Sequence, residues 1–290
     1  MIDPILIGDN PFIGVNHLSQ EKGRASAETF SSEEKVVDIL NYASELGIKG
    51  FVASTHPNLA KVINYMAEHT NLPSKLNIYP ILPYTQGYVI KVTEKGMMGA
   101  VNDILSPASM QEKMKIFMQG SLGLLKHDFL GLSKLFIDVE LLPLKKMNMK
   151  AIFLHDVFTD LALSMKSKDG FEMFINHIKD KYKTTPGFVT KNFAKFVNQI
   201  NEWGLDAPLV MTHFNKIGFQ MNPSREECEK ALENYNGDVI AMGTLASGYL
   251  KPKDAFDYLF SLPKIKSVVV GVSTKQHAKE TFDMLKGHFN

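Results

Sequence analysis

Two apolar runs near the C-terminus, Val239-Ile-Ala-Met-Gly243 and Ser267-Val-Val-Val-Gly-Val-Ser273, flank one short helix-like segment. Continuous Val/Ile runs belong to parallel strands covered on both faces, because a strand with one wet face alternates polar and apolar residues. Parallel neighbours need a crossover, so this ending reads as a βαβ unit. The same alternation runs back through the chain. Ile5–Gly8, Gly50–Ser54, Leu76–Leu82, Lys150–Leu154, Pro186–Val189 and Pro208–Met211 read as six earlier strands. Between the first two, Val36, Ile39, Leu40, Ala43 and Leu46 recur at helical spacing. Ser31-Ser-Glu-Glu34 before them reads as a capping box, and Gly47 stops the helix. Asn58–Glu68, Phe171–Tyr182, Phe193–Trp203 and Arg225–Tyr235 have helical spacing too.

Eight strand–helix units with no linker or composition break predict one α/β domain over 1–290, a (β/α)8 TIM barrel. An open doubly wound sheet is the alternative, but no Gly-x-Gly-x-x-Gly follows the first strand. Residues 86–149, between the third and fourth strands, exceed what one crossover helix needs. They carry Met97, Met98, Met110, Met114, Met118, Met147 and Met149, side chains that fill irregular gaps and suit adaptable surfaces. The segment reads as an enlarged helical excursion, either a lid over the barrel or a packed insertion. Leu135-Phe-Ile-Asp-Val-Glu-Leu-Leu142 within it reads as helix or strand.

The charge balance, 32 Lys and Arg against 31 Asp and Glu, gives no electrostatic case for nucleic acid or an anionic membrane. Cys228 is the only cysteine, so no intrachain disulfide forms. Neither a signal-peptide pattern nor a run of ~20 apolar residues is present. A cytoplasmic protein acting on a small-molecule substrate is expected.

Thr244-Leu-Ala-Ser-Gly-Tyr-Leu250, Val270-Gly-Val-Ser-Thr274, His277-x-x-Glu-Thr281, Ala43-Ser-Glu-Leu-Gly-Ile-Lys-Gly-Phe51 and Leu154-His155 together resemble the aldo-keto reductase family. The match is scattered over most of the chain, and its specific part is the last fifty residues. The resemblance implies a barrel that reduces carbonyls with NADP(H), using Asp, Tyr, Lys and His. The chain departs from that set. Phe51-Val-Ala-Ser54 lacks the Asp, Thr55-His-Pro-Asn58 lacks the Tyr, and Tyr79-Pro-Ile-Leu82 lacks the Lys. His155 alone is retained, and Met242 stands where the family stacks a Tyr on nicotinamide. Reduction needs a proton donor for the developing alkoxide, and Tyr84 is the substitute in reach.

Barrel enzymes place their chemistry at the C-terminal ends of the strands and in the loops that follow. His56, His155 and His213 close the second, fourth and sixth strands. With Asp156 beside them they compose an alternative, a divalent metal site for a hydrolase or lyase. Asp9, Asn10, Asn16 and His17 belong to a polar loop after the first strand, either a substrate loop or a turn built on Asn10-Pro11 and Gly14. In the reductase reading His155 polarises the carbonyl and Thr190 and Asn192 hold the nicotinamide amide. Ser247, Ser273, Thr274 and Lys275 bind the rest of the cofactor, its phosphate lying at a helix N-terminus. Ser273 alternatively only caps that helix. Lys191 closes the fifth strand, as a solvated lysine or a Schiff-base former. A third class is a non-catalytic barrel that has lost the reductase tetrad.

Overall fold

The computed structural model describes residues 1–84, 129–262 and 264–289. Eight parallel strands close on themselves: β1 (Ile5–Ile7), β2 (Gly50–Ser54), β3 (Asn77–Leu82), β4 (Ala151–Leu154), β5 (Thr185–Thr190), β6 (Leu209–His213), β7 (Val239–Met242) and β8 (Ile265–Val270). Each pairs with its neighbours in sequence, and β8 returns to β1 through Ile5 opposite Val268. A two-residue strand, Asn148–Met149, precedes β4 and pairs with the start of β3. The expected (β/α)8 barrel is therefore the fold, and the open-sheet alternative falls because the sheet has no edge at β1.

Two cores follow from the period-2 alternation of the strands. Leu6, Val52, Tyr79, Phe153, Val189, Met211 and Ile240 fill the inside of the barrel. Phe51, Ile78, Ile152, Phe188, Val210 and Val268 face outward onto the helices. The centre is tightly fitted. A Cβ on Gly187 would stand 2.4 Å from the Phe153 ring, so β5 gives up a side chain where β4 fills the axis with one.

The outer layer contains α1 (Gln20–Thr29), α2 (Glu33–Glu45), α3 (Pro57–His69), α4 (Phe129–Leu141), α5 (Asp156–Ser164), α6 (Lys168–His177), α7 (Phe193–Trp203), α8 (Arg225–Asn234), α9 (Pro252–Ser261) and α10 (Lys275–Phe289). Helix α1 was not legible in the sequence: it buries only Gly23, so it has no apolar stripe. The capping box before α2 does not form. Ser32 is the N-cap and makes no side-chain cap bond, while Glu34 accepts from the Tyr65 hydroxyl at 3.2 Å.

Leu135–Leu142 is no strand. It lies in α4 and the 3-10 turn Leu142–Leu144 after it. Its two acids each find partners on other elements. Asp138 accepts from His177 Nε2 at 2.8 Å and from the Tyr182 hydroxyl at 2.7 Å, and Glu140 reaches the Thr55 loop. Most of the Met-rich excursion, residues 85–128, lies outside the described residues. No helix among the described residues is long and apolar enough to cross a membrane.

Candidate active site

The inward-facing parity of each strand continues past its last residue. Val52 leads to Ser54, Phe153 to His155, Val189 to Lys191 and Met211 to His213, each two residues on. These side chains, with the loop after β1 and Tyr84 after β3, wall a cavity of about 630 Å³ at the C-terminal end of the barrel. Val52, Val189, Met211, Met242 and Val269 make its floor apolar.

His155, Asp156 and Lys191 form the central group. His155 Nδ1 lies 2.7 Å from Asp156 Oδ1, and Lys191 Nζ lies 2.8 Å from Asp156 Oδ2. The Val157 N–H lies between the two groups, 3.3 Å from His155 Nδ1, which accepts from it as the N-cap of α5, and 2.9 Å from Asp156 Oδ1. Burial alone would raise the Asp156 carboxyl. The hydrogen bonds and charges of His155 and Lys191 outweigh it and hold the group well below the usual carboxylate range.

Asp9 lies on the other side of His155. It is buried and accepts from the Ser54 N–H at 2.7 Å and the Ser54 hydroxyl at 2.6 Å. Burial raises its carboxyl despite those bonds, and His155 lowers it slightly. Tyr84 lines the same wall, its ring edge-on to His56 at 4.5 Å between centroids. Burial and then Asp9 raise its phenol above the ordinary value, so Tyr84 stays protonated. Behind it, Glu140 accepts from the Thr55 hydroxyl and from the Tyr84 N–H at 3.3 Å. Burial pushes the Glu140 carboxyl up to about 7, against the pull of those two donors.

His213 is 6% exposed, and its Nδ1 has no hydrogen-bond partner among the described residues. Its ring is fixed against Gly243, at φ +63°, where a Cβ would stand 2.3 Å from His213 Cδ2. Burial lowers its pKa to about 4, with Lys191 and His17 adding to the shift. His17, Asn10 and Asn16 line the cavity from the β1 loop. Asn16 also shapes that loop by accepting from the Leu18 and Ser19 N–H groups at 3.0 and 2.9 Å. His17 Nε2 is 3.4 Å from Asn10 Nδ2, and burial lowers the ring's pKa.

Other expected residues go elsewhere. The three-histidine metal site does not assemble, and no group of three His, Cys, Asp or Glu among the described residues is placed to hold a metal ion. The reason is local. β2 ends at Ser54, and His56 becomes the N-cap of α3, its Nδ1 accepting from the Asn58 N–H at 3.0 Å. His155 is taken by Asp156, and His213 is recessed against Gly243.

Most of the expected cofactor residues also turn away. The Thr190 hydroxyl donates to Asp160 Oδ1 at 2.5 Å, and the Asn192 N–H donates to Thr190 Oγ1 at 2.9 Å. Lys275 Nζ lies 2.7 Å from Asp38 on α2, and Thr274 Oγ1 accepts from the His277 N–H as the cap of α10. Ser273 does not line the cavity, whereas Ser247 and His277 do. Lys191 is the single Lys or Arg on the cavity wall among the described residues. A phosphorylated dinucleotide brings several negative charges, and the described wall, with one cation already paired to Asp156, does not fit them.

Lys191 reaches the mouth at the strand end where the sequence places it, but as the ion-pair partner of Asp156. One contributor was missed in the sequence. Glu140 had no signal, because it arrives from a helix far along the chain.

Fold and site together define a (β/α)8 barrel with its polar groups gathered at the C-terminal mouth. More particularly, the chain has the barrel fold of the aldo-keto reductases. An aldo-keto reductase from Bacillus halodurans, solved in its holo form, superposes with a TM-score of 0.56 at 11% identity, over 98% of this chain and 86% of that one. An aldo/keto reductase from Brucella melitensis gives 0.52 at 13% identity, over 97% and 88%. A Pseudomonas aeruginosa protein described provisionally as an aldo-keto reductase gives 0.61 at 12%, over 99% and 91%. No protein-family model matches the sequence, and neither does any curated protein.

Proposed function

We propose that the chain is an enzyme that moves protons at a carbonyl-bearing small molecule, with His155 as the base. The observation that carries this is the His155–Asp156 contact at 2.7 Å on the wall of the cavity. A carboxylate beside an imidazole stabilises the imidazolium that forms when the ring takes a proton. Lys191 lies on the same carboxylate and can orient a substrate oxygen. Tyr84, kept protonated, is the donor for an oxyanion forming on the Asp9 side. The β1 loop, through Asn10, Asn16 and His17, closes one side of the pocket as a substrate loop.

Reduction of carbonyls with NADP(H) is the second reading, supported by the likeness of the barrel to aldo-keto reductases. The described wall does not suit the phosphates of that cofactor, so the proton-transfer reading comes first. Two measurements separate them. Incubating ketones and oxo acids with the protein in D2O and following loss of the α-proton signal by NMR tests His155. Exchange that vanishes in His155→Ala supports the base, and no exchange across the panel defeats it. An NADPH titration followed by the nucleotide's own fluorescence tests the reductase. Trp203 is a poor reporter because it packs on Phe171 in the outer layer, away from the cavity.

A further inference from the structure

The polar groups of the mouth fall into two unequal walls. On one side Asp9, Ser54 and Tyr84 bond among themselves or stay neutral. On the other, Lys191, His17 and His213 surround a single carboxylate, Asp156. Asp156 is already saturated: one oxygen takes His155 and the Val157 N–H, the other takes Lys191, and the side chain is 10% exposed. It therefore offers little to a ligand. Its partners do. Lys191 is 39% exposed, and its ammonium has three hydrogens, of which Asp156 takes one. His213 lines the same wall, with its Nδ1 buried and without a hydrogen-bond partner among the described residues. The His17 ring makes a long contact to Asn10, 3.4 Å from Nε2 to Nδ2. Lys191 brings a positive charge to this wall with hydrogens beyond the one Asp156 takes, and an anion answers it.

We infer that Lys191, with His213 and His17 beside it on the wall, seats a carboxylate of the substrate, so that the molecule turned over is a short carbonyl acid. This rests on the proton-transfer reading of the same cavity. Carboxylate suits better than phosphate because one ammonium shared with Asp156 answers a single charge. The carboxylate places the adjoining carbonyl carbon between this wall and Tyr84, beside His155. An apolar floor of Val52, Val189, Met211 and Met242 receives the remaining carbon chain.

The test is calorimetric binding of 2-oxobutanoate and its neutral counterpart 2-butanone, with inorganic phosphate as a third probe. Wild-type protein is expected to bind the oxo acid at least tenfold tighter than the ketone and to bind phosphate no better than the ketone. Lys191→Met abolishes the preference, whereas Lys191→Arg keeps it within a few fold. Lys275→Met, a surface lysine outside the cavity, leaves it unchanged. Because Lys191→Met strips Asp156 of a partner, its fold is checked by circular dichroism. The His213 imidazole NMR signals of the wild type give an independent readout, moving with the oxo acid and not with the ketone. Equal binding of acid and ketone, phosphate binding tighter than both, or an unshifted His213 overturns the inference. Charge-selective binding without α-proton exchange leaves the carboxylate seat standing and removes the proposed chemistry. Exchange on acids and neutral ketones alike does the reverse.

Discussion

The two ends of the barrel use the same kinds of side chain for opposite ends. At the N-terminal end, the Tyr79 hydroxyl and Asn77 Nδ2 donate to Asp3 Oδ2 at 2.7 and 2.8 Å. The Asp3 N–H donates back to the Tyr79 oxygen at 2.9 Å, and the Ser267 hydroxyl closes on the Asp3 carbonyl at 2.7 Å. Every member of that plug is answered by another, so it seals the floor. At the C-terminal end, Lys191 has donors to spare and His213 Nδ1 has no partner among the described residues. A satisfied network rigidifies, and an unsatisfied one facing a cavity is stored capacity for a ligand. Phe153, seated over Gly187, separates the two ends.

That contrast breaks if changes at the mouth cost stability and changes at the floor cost activity. The largest effect is expected from His155→Ala. Proton exchange should fall roughly 10²–10⁴-fold, with a melting temperature close to wild type. Phe153→Ala should cost about 3–5 kcal/mol in urea unfolding, because rigid strands cannot collapse into the space it leaves. Glu140 sharpens the comparison through pH. Its folded pKa of about 7 lies above the ordinary 4.5, so the folded state holds the proton longer. Stability contributed by this group is present below about pH 4.5 and is lost as pH rises toward 7. The total loss is of the order of 3 kcal/mol. Glu140→Gln should flatten that part of the stability profile, and an unchanged slope would remove Glu140 as its source. Tyr79→Phe leaves Asp3 one donor short and should cost about 1–3 kcal/mol while activity per folded molecule stays constant. The smallest effect belongs to Lys275→Ala. Its exposed pair with Asp38 is worth less than about 1 kcal/mol, and thermal melting should barely move.

Much of the barrel was readable because burial on both faces leaves a continuous apolar record. Val239–Met242 and Ile265–Val270 are strands where the runs predict them, and even the weak Pro186–Val189 run is a strand, extended by one residue at each end. The site was readable by position and less so by role. His155, Asp156, His213, Tyr84 and the β1 loop all reach the mouth, since strand ends fix where they stand. Thr190 stands at a strand end too, but its outward parity gives its hydroxyl to Asp160.

What the sequence determined is periodicity: which residues face the axis, which face the helices, and where each strand ends. Only the closed barrel decided partnership. Asp156 meets Lys191 across two strands, Asp9 meets Ser54 across 45 residues of chain, and Glu140 meets Thr55 across 85. Local spacing records a residue's own direction, and it holds no record of which distant residue stands opposite. The histidines illustrate the difference. Three strand ends supplied three imidazoles, and the packing of Gly243, the Asn58 cap and the Asp156 carboxylate sent them to three separate tasks.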